Sequence, residues 1–290
     1  MNKRKDGFAI VTMVLLVITS VAGIMSVNFS KSYDFINQYG HTVQMYGYGV
    51  YAFDTYFQAP ISIGTDICIL CVVVPAMFIA YRNYINRGDM VSKLKLVTIY
   101  AGAFYYAASL AFGLTYNRLF LVYVALFASS LLGMFAHISH IKLNKGVTET
   151  KGLKLFLILA GSALIIAWLP DVIPSVINGG TLSLIGVYTT NITYVLDMGI
   201  ISPLCFVTLY LLEKRNPMGT LLLAILLKLC MIVGIMMFPQ TVCQVASGWD
   251  IPIPALVTKS LSFVVLGAFA LYFNKKLYTE ISIECEEITE

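Results

Sequence analysis

Asp66, Asp197, Lys228 and Lys259 stand inside long apolar stretches of this chain, and chemistry is to be expected there first. A charged side chain at the centre of a bilayer costs about 2.5–3.5 kcal/mol on insertion scales, so it faces the protein interior and seeks a partner. Lys228 lies midway along its run, about 15 Å from either end at about 1.5 Å rise per residue, beyond the reach of a lysine side chain. Lys259 sits about two turns inside the outer end of the last run, and Asp66 and Asp197 enter from the same side. Three of them share a helix face with polar residues: Ser62 and Thr65 with Asp66, Thr193 with Asp197, Thr258 and Ser262 with Lys259. Together they predict a polar site in the membrane for an ion, a proton or a small substrate. Lys259 would meet an anionic group or a proton-exchanging aspartate. The plainer alternative is that the four charges pair and set how the helices assemble. Asp197, near a helix start, also gains from the positive end of the helix dipole.

Other constellations carry less. Cys68-Ile69-Leu70-Cys71 places two thiols one turn apart, the spacing of a redox pair. A membrane thiol oxidoreductase needs a second cysteine set outside, and only Cys243 is available. His137 and His140 are three apart and close enough to share a metal, but further ligands are missing. Gly102, Tyr105, Ser109, Gly113 and Tyr116 form a stripe that reads as close helix packing. No H-E-x-x-H, G-x-S-x-G or G-x-x-x-x-G-K-[ST] occurs. The expectation is therefore of no cofactor and no metal, and of a binding or transport protein more than an enzyme.

Long apolar elements must position these residues. At 59% hydrophobic and 12% charged residues, the chain carries about half the charge of an average soluble domain, and no basic soluble face exists for nucleic acid. Eight apolar runs, about 8–27, 61–81, 95–115, 118–138, 153–171, 193–212, 218–238 and 253–273, are each near the roughly 20 residues that cross a bilayer. Lysine and arginine fall in alternate gaps, fifteen against two, with only Lys31 and Arg118 in the minority set. The positive-inside bias then puts both termini in the cytoplasm and the protein in the plasma (inner) membrane. The first run, with Ser20-Val21-Ala22 at its end, competes with a cleaved signal peptide, but is longer than the usual core of one. The outer gap 28–60, rich in tyrosine, reads as an interfacial belt or as a lid over an outward cavity. The tail 277–290 holds Glu280, Glu284, Glu286, Glu287 and Glu290, a solvated end or a dock for a basic protein partner.

Residues 1–145 and 146–276 echo each other. Leu132-Gly133-Met134-Phe135-Ala136 matches Leu266-Gly267-Ala268-Phe269-Ala270, and Gly49-Val50-Tyr51 matches Gly186-Val187-Tyr188. Asp66 precedes Pro75 as Asp197 precedes Pro203. Two parallel four-helix repeats would place a site between the halves, near mid-membrane. The predicted molecule is an all-α polytopic membrane protein of eight spans, in contact with lipid. It is read as a secondary carrier or the membrane subunit of a permease, with an ion or small molecule as ligand. The alternatives are a receptor or assembly subunit that transports nothing, and an intramembrane redox or lipid-modifying enzyme.

Overall fold

Apolar backbone in lipid can satisfy its N–H and C=O groups within a helix, and the apolar runs do so. The computed structural model describes residues 6–143, 146–182, 184–249 and 253–287, with the side chains of 253–259 and 283–287 outside the description. Lys3, Arg4, Lys5, Lys145 and the side chain of Lys259 therefore lie outside the described residues. Among the described residues, seven helices are long and apolar enough to cross a membrane: α1 Gly7–Ile24, α2 Gln58–Asn86, α3 Met90–Gly113, α4 Phe120–Ile138, α5 Lys151–Asn178, α6 Ile192–Glu213 and α7 Pro217–Ala246. The helix α8, Ile253–Glu287, follows. The chain is thus an all-α, multi-pass membrane protein.

Side-chain caps set the helix starts. Asp6, Asp89, Thr150, Asn191 and Asn216 each accept a hydrogen bond from a backbone N–H of the first turn of α1, α3, α5, α6 and α7. Gly179, at a φ of 64°, ends α5 with the left-handed turn that glycine adopts without strain. Two helices widen locally into a π turn: Ile69–Val73 in α2 and Asp197–Ile201 in α6. In each, the N–H just past the turn reaches back five residues, Val74 to Ile69 and Ser202 to Asp197. Pro75 and Pro203 stand immediately after. A proline lacks its own N–H and its ring crowds the carbonyl four residues before it, so the preceding turn opens.

Packing repeats in the two halves. α1 packs on α2, α2 on α3, α3 on α4 and α4 back on α1; α5, α6, α7 and α8 close a second ring in the same order. Between rings, α7 lies against α2 and α3, and α3 also touches α6 and α8. Glycines set the closest approaches. A Cβ on Gly133 of α4 would strike the ring of Tyr100 on α3, and one on Gly267 of α8 would lie 3.1 Å from the Gly234 backbone of α7.

The segment between α1 and α2 is a folded cap. Tyr33–Ile36 and Thr42–Met45 pair as antiparallel strands β1 and β2, and a single 3-10 turn covers Gly49–Tyr51. Tyr46, Tyr51 and Tyr56 are buried beneath it, and Trp249 from the end of α7 packs on Tyr56 and Phe57. The Tyr56 hydroxyl lies 2.5 Å from the carbonyl oxygen of Phe29 and 3.0 Å from that of Ser247, with its one proton to donate between them. These tyrosines therefore differ from a belt at the lipid interface: their rings form the cap's own core.

Candidate functional site

Helix α3 presents two tyrosines in succession, Tyr105 and Tyr106, and each addresses a different carboxylate. Successive residues on a helix point about 100° apart, so neighbours can serve opposite sides. Tyr106 donates to Asp66 Oδ1 of α2 at 2.5 Å, while Tyr105 donates to Asp197 Oδ1 of α6 at 2.9 Å. Asp66 receives a second hydroxyl, Tyr51 of the cap, at 2.5 Å. Asp197 receives the indole N–H of Trp168 on α5 at 3.0 Å.

The two carboxylates have different surroundings. Asp66 is fully buried, and α1 presses so close that a Cβ on Gly23 would overlap its carboxylate. Asp197 stands in the wall of a narrow cleft among α3, α5, α6, α7 and α8, with about 40 Å³ of room and one side open to the surroundings. Leu164, Cys205, Cys230 and Phe263 make the lining largely apolar, with Asp197 and Tyr105 as its polar corner.

The structure brings Asp66 and Asp197 to one helix without bringing all four predicted charges together. Among the described residues the ion pairs are Asp6–His137 and Lys154–Glu213, so Lys228 forms none with either aspartate. Lys228 is half-buried on α7, and the charge acting on it is a like one, Lys95 of α3. The backbone of Lys259 lies in α8, one turn before Phe263 of the cleft. Thr65 accepts from Gln240 of α7 at 2.7 Å, a structural tie.

Tyr51, Tyr105, Tyr106 and Trp168 are the residues that sequence reasoning passes over. Tyr105 belongs to the stripe read as packing, and it both packs and donates. Its stripe neighbours Gly102 and Gly113 do pack, against Ile232 and Ile192. The available signal is the pair of adjacent phenols among small residues in Ala103-Phe104-Tyr105-Tyr106-Ala107-Ala108.

A third carboxylate ties the cap to the second half. Asp54 is fully buried and accepts from the Thr115 N–H at 2.9 Å and from the Tyr188 hydroxyl at 3.0 Å. Its Oδ2, and the Thr115 hydroxyl, find no hydrogen-bond partner among the described residues. Burial pushes the Asp54 carboxyl up to about 7, against the lowering effect of its hydrogen bonds. Asn37 donates to Gly186 O at 2.8 Å and Gln38 to Tyr188 O at 3.3 Å, adding two more ties between the cap and residues 186–188.

Other candidates have structural roles. His137 Nε2 is 2.6 Å from Asp6 Oδ2, and Tyr100 donates to the same oxygen at 2.8 Å, fastening the start of α1 to α4 and α3. Burial opposes the charge on Asp6, yet these hydrogen bonds hold its carboxyl below the usual value. His140 is exposed and bonds locally to Ser139 and Ala136. Cys68 and Cys71 are free thiols, as are Cys205, Cys230 and Cys243. Among the described residues, no three histidine, cysteine, aspartate or glutamate side chains gather closely enough to hold a metal ion. Comparisons with protein-family models, with curated proteins and with solved structures return no match for this chain.

Proposed function

We propose that this integral membrane protein is a carrier for a small, largely apolar molecule bearing one polar group, bound in the cleft at Asp197. The single observation behind this is a buried carboxylate, oriented by Tyr105 and Trp168, at the polar corner of an apolar cleft inside a helical bundle. Separation of the helices that wall this narrow cleft would let it take the body of an amphiphile, with Asp197 and Tyr105 to fix its head. Lys259, one turn before Phe263 on α8, would add a positive group and choose the sign of that head. Lys228 and Asp66 serve the bundle around the site.

Eight spans with both termini inside, in the plasma membrane, complete the reading. The matching rings, the paired π turns and the two packing glycines support a tandem repeat of residues 1–145 and 146–276. On this arrangement α3 and α7 meet at the centre, with the cleft beside them, as parallel-repeat carriers require.

The test uses Trp168 as an internal reporter. Trp249→Phe leaves it as the sole tryptophan, since the chain has two. Emission from purified protein is followed against apolar amines, apolar carboxylates and neutral analogues. We expect one head-group class to change Trp168 emission, to lose that effect in Val233→Phe, which narrows the cleft, and to enter liposomes holding the protein. Asp197→Asn should reduce that entry at least tenfold, the loss of about 1.4 kcal/mol of interaction. No response, or one that survives Val233→Phe, would remove the cleft as the site. Binding without entry would favour a receptor.

A further inference from the structure

We propose that Asp66 is a proton-binding site, and that its proton sets how firmly the outer cap is held on the bundle. No larger ligand can reach this carboxylate, because the Gly23 backbone, Tyr51 and Tyr106 enclose it and it is fully buried. Among the described residues, the titratable groups that face it are phenols and one thiol: Tyr51 of the cap, Tyr106 of α3, Tyr123 of α4 and Cys243 of α7. None of them carries a positive charge that would hold the carboxylate permanently ionised. A carboxylate in that setting depends on donated hydrogen bonds, and two phenol hydroxyls supply them.

Protonation changes what those hydroxyls can do. An ionised carboxylate accepts from both; a neutral carboxyl becomes a donor at one oxygen, so one phenol must stop donating there. Tyr106 is fixed within α3, while Tyr51 belongs to a 3-10 turn in the cap. The contact that weakens is Tyr51 to Asp66, a direct tie of the cap to α2: its charge-assisted bond becomes a neutral one in which the phenol accepts. The step is simple: one proton from the outer side joins the carboxylate, and no other bond is made or broken. Asp66 lies about 12 Å along α2 from its outer start, at about 1.5 Å per residue. Hydroxyls reach toward it from that side: Tyr123 answers electrostatically to both Asp54 and Asp66, and Asn117 donates to its oxygen at 3.4 Å.

This inference stands apart from the ligand cleft and is tested without any ligand. Full-length protein with carbon-13 aspartate, in lipid nanodiscs, is followed by infrared difference spectroscopy through a pH series. The Asp54→Asn background silences the other buried outer carboxyl. We expect an isotope-shifted band of a protonated carboxyl to grow as pH falls, to vanish in Asp66→Asn, and to move in frequency in Tyr106→Phe, where the carboxyl is retained. Hydrogen exchange at the amides of Tyr46, Gly47, Asp54 and Tyr56, all hydrogen-bonded within the cap, should quicken at least threefold with the same midpoint. The Tyr51→Phe protein should exchange quickly at every pH. A band that is absent or constant while the protein stays folded would overturn the proton site. Cap exchange indifferent to the band's midpoint would overturn the coupling.

Discussion

Asp54 holds its place through two donors, Thr115 N–H and Tyr188 O–H, yet one of its carboxylate oxygens finds no partner among the described residues. Burial without full hydrogen bonding is costly for the charged form, which is why its carboxyl is pushed up to about 7 from an ordinary 3.8. The pH consequence follows from the direction. Below the ordinary value the group is protonated in folded and unfolded chains alike, and it adds no penalty. Between that value and about 7 the unfolded chain has released its proton while the folded chain keeps it, so stability falls as pH rises. Above about 7 the penalty is complete, on the order of 4 kcal/mol at about 1.4 kcal/mol per unit. Asp54→Asn keeps an acceptor for Thr115 and Tyr188 and carries no charge. Its unfolding midpoint should therefore fall less than the wild type's between pH 5 and 8, as followed by calorimetry in detergent. Parallel pH profiles for the two proteins would show that Asp54 is not buried as an acid.

At the scale of elements, helix existence is legible because long apolar runs and capping residues coincide: Thr150 and Asn216-Pro217 mark starts that the fold uses. Helix ends are less legible. α5 continues through Pro170 and Pro174 to Asn178, because residues such as Val176 and Ile177 remain apolar and exposed to the surroundings beyond the hydrocarbon-length run. The cap hairpin is hidden because its strands are short and largely exposed, so no buried alternation announces them. The site was half legible. Asp66 and Asp197 stand out as charges in apolar runs, whereas their partners are phenols and an indole, residue types common in membrane helices for other reasons. The contact between α2 and α7 supplies a test of packing. A Cβ on Gly64 would lie 2.5 Å from Gln240 N and 2.6 Å from Pro239 C, both backbone atoms that cannot turn aside. Gly64→Ala should destabilise the protein by about 1–3 kcal/mol through overpacking. Gly199, in the π turn of α6, has nothing within 4 Å of a Cβ, so Gly199→Ala should be neutral or stabilise by up to about 1 kcal/mol. Equal midpoints for the two variants would mean that α2 and α7 are not in close contact.

The whole molecule places α3 and α7 at its centre and leaves large apolar side chains such as Phe112, Leu121, Ile166, Phe238 and Val242 exposed on the outside of the bundle, where lipid is their solvent. Orientation in that lipid follows from charge. Arg82, Arg87, Lys93 and Lys95 cluster where α2 meets α3, and Lys142, Lys151 and Lys154 where α4 meets α5. The cap and the 179–191 connection, on the opposite side, are nearly free of lysine and arginine. Basic gaps anchored in the cytoplasm would put the cap outside, the side from which the proton proposed for Asp66 would come. Single cysteines in a protein stripped of its own thiols can read this in intact cells. Cysteine at Gly40, in the cap turn, or at Gly180, after α5, should react with a membrane-impermeant maleimide from outside. Cysteine at Lys142 or at Glu287 should react only after the cells are opened. Labelling of Lys142→Cys from outside would invert the molecule. Labelling of Glu287→Cys from outside, with Lys142→Cys still protected, would mean that α8 does not cross, leaving seven spans and a cleft whose α8 wall lies along the membrane surface.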